Sequence, residues 1–390
     1  MANRNSILIH VQHLLGSGHL RRAAILARAL ASGDASVRLV SGGLPVPDLD
    51  IGQADFTQLE PVRCEADDFS ALTKADGTPV GSGFKTRRRA QLLSTFDEMA
   101  PDVLIVEMFP FGRRQMRFEL LPLLERACGQ SLRPLIIASV RDILQTGRKP
   151  KRIEEAAAWV ETYFDRVLVH GDPSLARFEE TFPPATGFSE RIHYTGYLAP
   201  EPPSAARPGD PGWGEVVVSA GGGAVGGALL RTALAARGLS RLSDRPWRLL
   251  TGHALDPADR AALEREAGDG FAIETSRTDF QELLAACAVS VSQGGYNTVA
   301  DILSAGARSV IVPFAAGGET EQTLRAERLE ACGRAVMLSE SALDPPALAR
   351  AIDAAARTTP GRSPVDLSGA TASLRQLRAW MNDPAAAKRG

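Results

Sequence analysis

The sequence predicts an α/β protein made of two doubly wound parallel-sheet units that face each other across a cleft. Three observations carry this. Short apolar runs alternate with amphipathic helical stretches along both halves of the chain, the pattern of successive βα units. A stretch dense in proline and glycine and poor in apolar residues, Ala199 to Gly214, separates the halves. Glycine turns follow several strand ends, at the edge where open parallel sheets take ligands. The units are therefore Rossmann-like. Their expected bounds are 1–199, a linker at 200–214, 215–365, and a last helical segment at 366–390.

Composition narrows the function. The 390 residues are 44% hydrophobic and carry a formal net charge of −2, enough for two cores and no sign of a general nucleic-acid binder. The four cysteines (Cys64, Cys128, Cys287, Cys332) are far apart and form no Cys-x-x-Cys pair, as expected of reduced thiols rather than disulfides or a zinc site. No apolar run approaches the ~20 residues of a membrane span. Met1–Ser6 leads straight into a short strand, so no signal peptide is expected. The expected location is cytoplasmic, with peripheral contact to the inner face of a membrane left open.

In the first half, Ile7–Val11 reads as a strand. Gly16-Ser17-Gly18-His19 follows, then a helix over Leu20–Leu30 with Leu20, Ala23, Ala24, Ala27 and Leu30 on one stripe. Position 21 is Arg, so this is not the three-glycine dinucleotide fingerprint, and a short glycine loop alone is a weak phosphate signal. His19 is the candidate catalytic base: an imidazole of near-neutral pKa can take a proton from a hydroxyl or a water. The competing reading is that it caps or packs the helix start. Arg21 and Arg22 either hold an acidic group or are solvated. Strands follow at Val37–Ser41 and Phe56–Leu59. The loop between them contains Asp48-Leu49-Asp50, read as a solvated turn in preference to a metal site.

Lys74–Arg89 is basic and glycine-containing and is expected to be a mobile loop. Its Lys85, Arg87, Arg88 and Arg89 either meet an anionic acceptor or a membrane surface, or begin a solvated helix. Val103–Val106 is the next strand. Glu107, at its end, is a candidate to orient His19 or to act as a base itself; pairing with Arg113 or Arg114 is the alternative. Phe109, Phe111 and Arg113 are acceptor-side candidates, with the two aromatics equally readable as core. Leu135–Ala138 is a strand that delivers Arg141 and Asp142 to the same edge, and Val167–His170 and Ile192–Tyr194 complete the sheet.

The second half opens with a strand at Glu215–Ser219, the turn Gly221-Gly222-Gly223 and a helix over Ala224–Ala236. Strands at Trp247–Leu250 and Phe271–Glu274 follow, with Gly252-His253 after the first of them. The most informative stretch is Val289–Gln322. An apolar run (Ala288–Val291), the turn Gln293-Gly294-Gly295, a helix opened by Asn297 and Thr298 and stopped at Gly306, and a second run (Ser309–Pro313) form one βαβ unit. Gly294 and Gly295 allow close backbone approach, and the helix start behind them suits a phosphate. Asn297 and Thr298 supply further donors. Asp301 is spaced to accept from a ribose diol. Glu321 and Gln322, after the next strand, reach the same crevice and can bind sugar hydroxyls. A short strand at Ala335–Leu338 and helices at Pro346–Ala355 and Ala370–Met381 finish the chain.

The run from Gln293 to Asp301 resembles the donor-sugar signature of GT-B glycosyltransferases such as the plant UDP-glycosyltransferases, and Thr298–Gly306 is still more similar to the matching segment of the MurG family. Asp301 stands where that family usually has Glu, and Gln293 where it has His or Arg. Gly16–Arg22 resembles the first loop of MurG-like proteins and also that of the PseG nucleotide-sugar hydrolases. The resemblance implies a GT-B fold. It puts the donor diphosphate near Gly16, Ser17, Gly18, Gly221, Gly222 and Gly223, and the nucleobase beside Thr275–Asp279, with Arg277 among the donor-binding residues. It also implies metal-independent, inverting transfer from a nucleotide-sugar, expected to be UDP-linked, without a cofactor. The acceptor is left open among lipid-linked, polysaccharide and small-molecule classes. A hydrolase, a nucleotide-sugar 2-epimerase and an inactive nucleotide-sugar-binding protein are the alternatives.

Overall fold

The computed structural model describes residues 6–64, 71–221, 226–253, 255–359 and 364–382. Its first half holds a seven-stranded parallel sheet. The strands are β1 (Ser6–Val11), β2 (Ser36–Ser41), β3 (Asp55–Gln58), β6 (Val103–Glu107), β7 (Leu135–Arg141), β8 (Arg166–His170) and β9 (Ile192–Tyr194), in the order β3-β2-β1-β6-β7-β8-β9. A small antiparallel pair, β4 (Val62–Arg63) with β5 (Thr73–Lys74), lies outside it. Helices α1 (Gly18–Ala31), α2 (Ser82–Met99), α3 (Arg117–Cys128), α4 (Pro150–Tyr163) and the short α5 (Phe178–Thr181) make the connections.

The second half repeats the plan with a six-stranded parallel sheet in the order β12-β11-β10-β13-β14-β15. Its strands are β10 (Val216–Ser219), β11 (Trp247–Leu250), β12 (Phe271–Glu274), β13 (Val289–Ser292), β14 (Ser309–Ile311) and β15 (Val336–Met337). Its helices are α6 (Gly227–Ala236), α7 (Pro257–Glu266), α8 (Phe280–Ala286), α9 (Tyr296–Ala305), α10 (Glu321–Ala331) and α11 (Pro345–Ala356). The last helix, α12 (Gly369–Met381), returns to the first half, where Leu377 and Trp380 join the apolar cluster of α1 and β1. Two Rossmann-like parallel sheets flanking a cleft are the GT-B architecture.

Both sheets are covered on both faces, which is why their strands read as unbroken apolar runs. One side of the first sheet packs Leu92, Phe96, Leu120, Leu124 and Val160; the other packs Leu20, Ala24, Ala27 and Leu30 of α1. A further cluster belongs to both halves: Leu175, Tyr197 and Ala199 pack with Tyr296, Val299, Leu303 and Leu329. Helix α9 ends at Gly306 in the left-handed region (φ 66°), the conformation that lets a glycine close a helix.

One expectation changes. Lys74–Arg89 is not a mobile loop, because α2 begins at Ser82. Phe84, Arg88, Leu92, Thr95 and Phe96 share one buried face of that helix, and Arg88 behaves as a core residue. Its fully buried guanidinium forks onto Glu119 (2.7 and 3.0 Å) and donates to the Gly42 carbonyl (2.9 Å), the Gln12 side chain (2.6 Å) and the Glu60 carbonyl. Arg88 is thus unavailable to an acceptor or a membrane. Of Asp48 and Asp50, the second is bonded by Arg28 and by the Gly52 N–H, as a turn residue. Among the described residues no helix is long and apolar enough to cross a membrane, and no cluster of three or more His, Cys, Asp or Glu is placed to hold a metal ion.

Candidate active site

In each sheet the strand order reverses at one point, between β1 and β6 and between β10 and β13. Loops leaving such neighbours diverge and open a crevice at the carboxyl edge. The candidate residues concentrate at these two places. The loop after β1 carries Gly16, Ser17, Gly18 and His19, and β6 ends on Glu107. Gly221 follows β10, and Gln293, Gly294 and Gly295 follow β13. Gly222 and Gly223 lie outside the described residues.

His19 and Glu107 come together across the first reversal. His19 Nδ1 lies 2.9 Å from Glu107 Oε1, and Arg22 bonds the same oxygen. Burial, then the nearby Arg113 charge, push the His19 imidazole below its usual range, and Glu107 pulls the other way without restoring it. The near-neutral pKa expected from the sequence is therefore not found; the ring is a neutral one. Burial by itself would raise Glu107, but the Arg22 charge, the hydrogen bond from the neutral His19 ring and the Arg113 charge outweigh it and hold the carboxyl below the usual carboxylate range. A permanently ionised carboxylate accepting from Nδ1–H fixes the tautomer and leaves Nε2 as the basic nitrogen. Nε2 makes no hydrogen bond among the described residues. The loop behind Glu107 has two non-glycine residues in the left-handed region, Met108 (φ 68°) and Arg113 (φ 59°), the kind of strain that surrounding structure must hold in place.

The second half presents its glycine loop directly opposite. Asn297 at the start of α9 donates through Nδ2 to the Gly18 carbonyl (3.0 Å), so the starts of α1 and α9 face each other. Gly18 has no room for more, since a Cβ there would lie 3.0 Å from that same Nδ2. Asn297 is thereby a bridge between halves in this structure, and the first-turn N–H groups behind it are those an α-helix leaves without partners. The Gly294 N–H is occupied by Gln322 Oε1 (2.9 Å), which also takes the Phe314 N–H (3.2 Å). Gln322 thus shapes the glycine turn from within. Asp301 is held at one oxygen by Gln281 (2.7 Å), and burial pushes its carboxyl up to about 7 against the pull of that bond and of Arg21. Beside the edge of the sheet, Arg277 forks onto Asp279 (2.7 Å to each oxygen) and reaches Glu274, while His253 Nε2 lies 2.9 Å from Ser276 Oγ.

Several acceptor-side candidates have inward roles. Phe109 and Phe111 are 0% and 1% exposed; Phe109 stacks on Trp159 and Phe111 meets Phe178 and Phe182 edge-on. They pack the core beneath the edge and line no open pocket. Asp142 is buried and bound by Arg325 and the Tyr197 hydroxyl. Glu321 is 3% exposed, and both Arg325 and Arg141 bond it. Its carboxylate therefore serves the joint between halves before it can serve a sugar. Arg113 spends Nε on the Gln12 carbonyl (2.6 Å), and its remaining guanidinium nitrogens make no hydrogen bond among the described residues.

The reading from sequence missed Arg325 and Arg148. Arg325 is fully buried on α10, reaches the Gly294 carbonyl (2.8 Å) as well as Asp142, and lies 5.9 Å from the Tyr296 ring centre. On an amphipathic helix rich in charge it looks like any solvated arginine. Arg148 follows a glycine in a basic run and donates to the Phe111 carbonyl.

Comparison with known proteins agrees with this geometry. Residues 224–363 match the glycosyltransferase family 28 C-terminal domain. Over nearly its whole length the chain superposes on solved structures at low identity. CalG4, the calicheamicin glycosyltransferase, is 16% identical with a TM-score of 0.60, covering 96% of this chain and 94% of that one. MurG of Acinetobacter baumannii is 14% identical with a TM-score of 0.57, covering 96% and 99%. The glycosyltransferase VinC, solved in complex with dTDP, is 15% identical with a TM-score of 0.59, covering 99% and 100%. None of these lends support to the hydrolase-like resemblance of the first loop. Residues 224–363 thus match a glycosyltransferase family 28 C-terminal domain, set in a two-sheet GT-B frame that the whole chain shares with MurG and the other glycosyltransferases named here.

Proposed function

We propose that this glycosyltransferase moves a sugar from a nucleotide-sugar bound on the second half to a hydroxyl acceptor bound on the first, without a metal ion, with inversion at the anomeric carbon. The observation that carries the reading is the His19–Glu107 pair facing the glycine turn of β13 across the cleft. In the proposed step His19 Nε2 takes the proton of the acceptor hydroxyl as its oxygen attacks the anomeric carbon. The bond from that carbon to the diphosphate oxygen breaks, and the electron pair leaves with the nucleotide. Glu107 stabilises the imidazolium as it forms. N–H groups at Gly221, Gly295 and the start of α9 stabilise the leaving diphosphate. Asp301 binds the ribose, and the segment around Arg277 lies against the base.

A UDP-linked donor is the expectation from the motif, and dTDP in the VinC complex makes thymidine nucleotides the alternative. The test is nucleoside-diphosphate release from UDP-, dTDP- and GDP-sugars, with and without a cell extract as acceptor source. Release that requires extract is the expected result and names the donor. Rapid release without extract would overturn transfer in favour of hydrolysis, and binding without release would make the protein an inactive sensor. Cytoplasmic action on an acceptor presented at a membrane surface belongs to the same proposal, and fractionation of the native protein tests it.

A further inference from the structure

The cleft wall of the first half is too positively charged for its own carboxylates. Arg113 leaves the loop after β6, and Arg141 and Arg148 lie at and beyond the end of β7. Besides burial, Arg113 feels the attraction of Glu107 and then the repulsion of Arg141 and Arg22, and Arg148 feels the repulsion of Arg141 ahead of the attraction of Glu321. With Arg22 and Arg325, five guanidinium groups here face three carboxylates, Glu107, Asp142 and Glu321, an excess of two positive charges. Those carboxylates are committed: Glu107 to His19 and Arg22, Asp142 to Arg325, and Glu321 to Arg325 and Arg141. Donors remain over. Arg141 Nε is buried without a partner, Arg113 uses only Nε, and Arg148 uses only Nη1. Partly buried guanidinium groups with unspent donors are costly unless an anion completes them.

We propose that Arg113, Arg141 and Arg148 bind an oxyanion, the phosphate or carboxylate of an acidic acceptor, and so hold that acceptor's hydroxyl beside His19. The inference deepens the transferase reading and rests on it. Arg113 supplies the link, because its charge is felt at His19. This arginine cluster, rather than Arg88 of the basic run Lys85–Arg89, which is buried, is the proposed anion-facing feature of this half.

The test is calorimetric titration of phenyl phosphate, benzoate and the neutral benzyl alcohol into protein saturated with UDP or dTDP. The expected result is binding of one or both anions but not of benzyl alcohol. Affinity should fall about tenfold or more in Arg113→Gln and Arg148→Gln and recover in part in Arg113→Lys. Nucleotide affinity should stay within about twofold of wild type in all three, since the donor rests on the other half. Thermal unfolding of each variant separates loss of the site from loss of the fold, and Arg113→Lys keeps the charge if Arg113→Gln does not fold. Failure of both anions to bind wild type overturns the proposal, as does equal binding of benzyl alcohol. A parallel drop in nucleotide affinity in Arg113→Gln overturns it too, by giving the cluster to the donor diphosphate. If wild type binds no nucleotide, it is the transferase reading that falls, and the same anion titrations on nucleotide-free protein still decide the site.

Discussion

Arg325 and Asp142 form a two-pronged ion pair across the two halves, Nε to Oδ2 at 2.8 Å and Nη2 to Oδ1 at 2.7 Å, with both side chains buried. Burial alone would raise the Asp142 carboxyl, but Arg325 brings it below its usual range. Removing one partner leaves the other charge buried and uncompensated. Arg325→Met should therefore destabilise the protein by about 3–5 kcal/mol, whereas the double variant Arg325→Met, Asp142→Leu should recover much of that loss. Denaturant unfolding of wild type, both singles and the double checks this. A single variant as stable as wild type would mean that the pair is solvated and that the halves are joined elsewhere.

Catalysis should divide cleanly between His19 and the donor loops. His19→Ala is expected to lower kcat by about 10²–10⁴ while the donor KM changes little, because in the proposed step His19 acts on the acceptor. Glu107→Gln keeps the shape but loses the charge that stabilises an imidazolium, so it should lower kcat without abolishing donor binding. Since burial keeps the ring neutral, kcat at saturating donor should not decline as pH falls through the usual histidine range, about 6.5. Steady-state kinetics across mildly acidic and neutral pH decide this; a sharp acid limb near that value would show His19 solvated in the working complex.

What local pattern encodes was legible, and what distant residues impose was not. The unit from β13 to β14 could be read because its strand, glycine turn and helix stop are contiguous. The runs Ile192–Tyr194, Trp247–Leu250 and Phe271–Glu274 coincide with strands for the same reason. Glu107 as partner to His19 followed from both sitting at carboxyl strand ends. Nothing within Lys74–Arg89 says that Arg88 meets Glu119, thirty-one residues on, or that Arg325 meets Asp142, 183 residues back. A buried arginine is identified only by its distant carboxylate, and single-sequence periodicity assigns it to solvent. The same blindness hid the second set of duties of Asn297, Glu321 and Gln322, which have partners on other segments, Gly18, Arg141 and Gly294.

Arg88 itself gives a stability test. Arg88→Met should cost about 3–5 kcal/mol, since Glu119 would be left buried and unpaired and burial already pushes that carboxyl up. Arg89→Ala, one residue on at an exposed position, should change stability by about 0.5 kcal/mol or less. Chemical denaturation of the two variants side by side distinguishes a helix with a buried cation from a basic surface loop, for which both changes would be small.

Nucleotide affinity should rise with pH through Asp301. Its carboxyl sits at about 7 in the free protein, raised by burial and only partly offset by Gln281 and Arg21. A ribose diol donates two hydrogen bonds and so needs the ionised form, which means that binding at lower pH must first release a proton. The sign follows: the carboxyl is about one-tenth ionised at pH 6 and nine-tenths at pH 8, so affinity should climb about tenfold between them and level off above. Asp301→Asn should bind nucleotide at every pH about as weakly as wild type does at the acid end, with no slope. Titration of UDP and dTDP into both proteins at the two pH values measures this. The same slope in the variant would assign the titration to another group and remove Asp301 from the ribose.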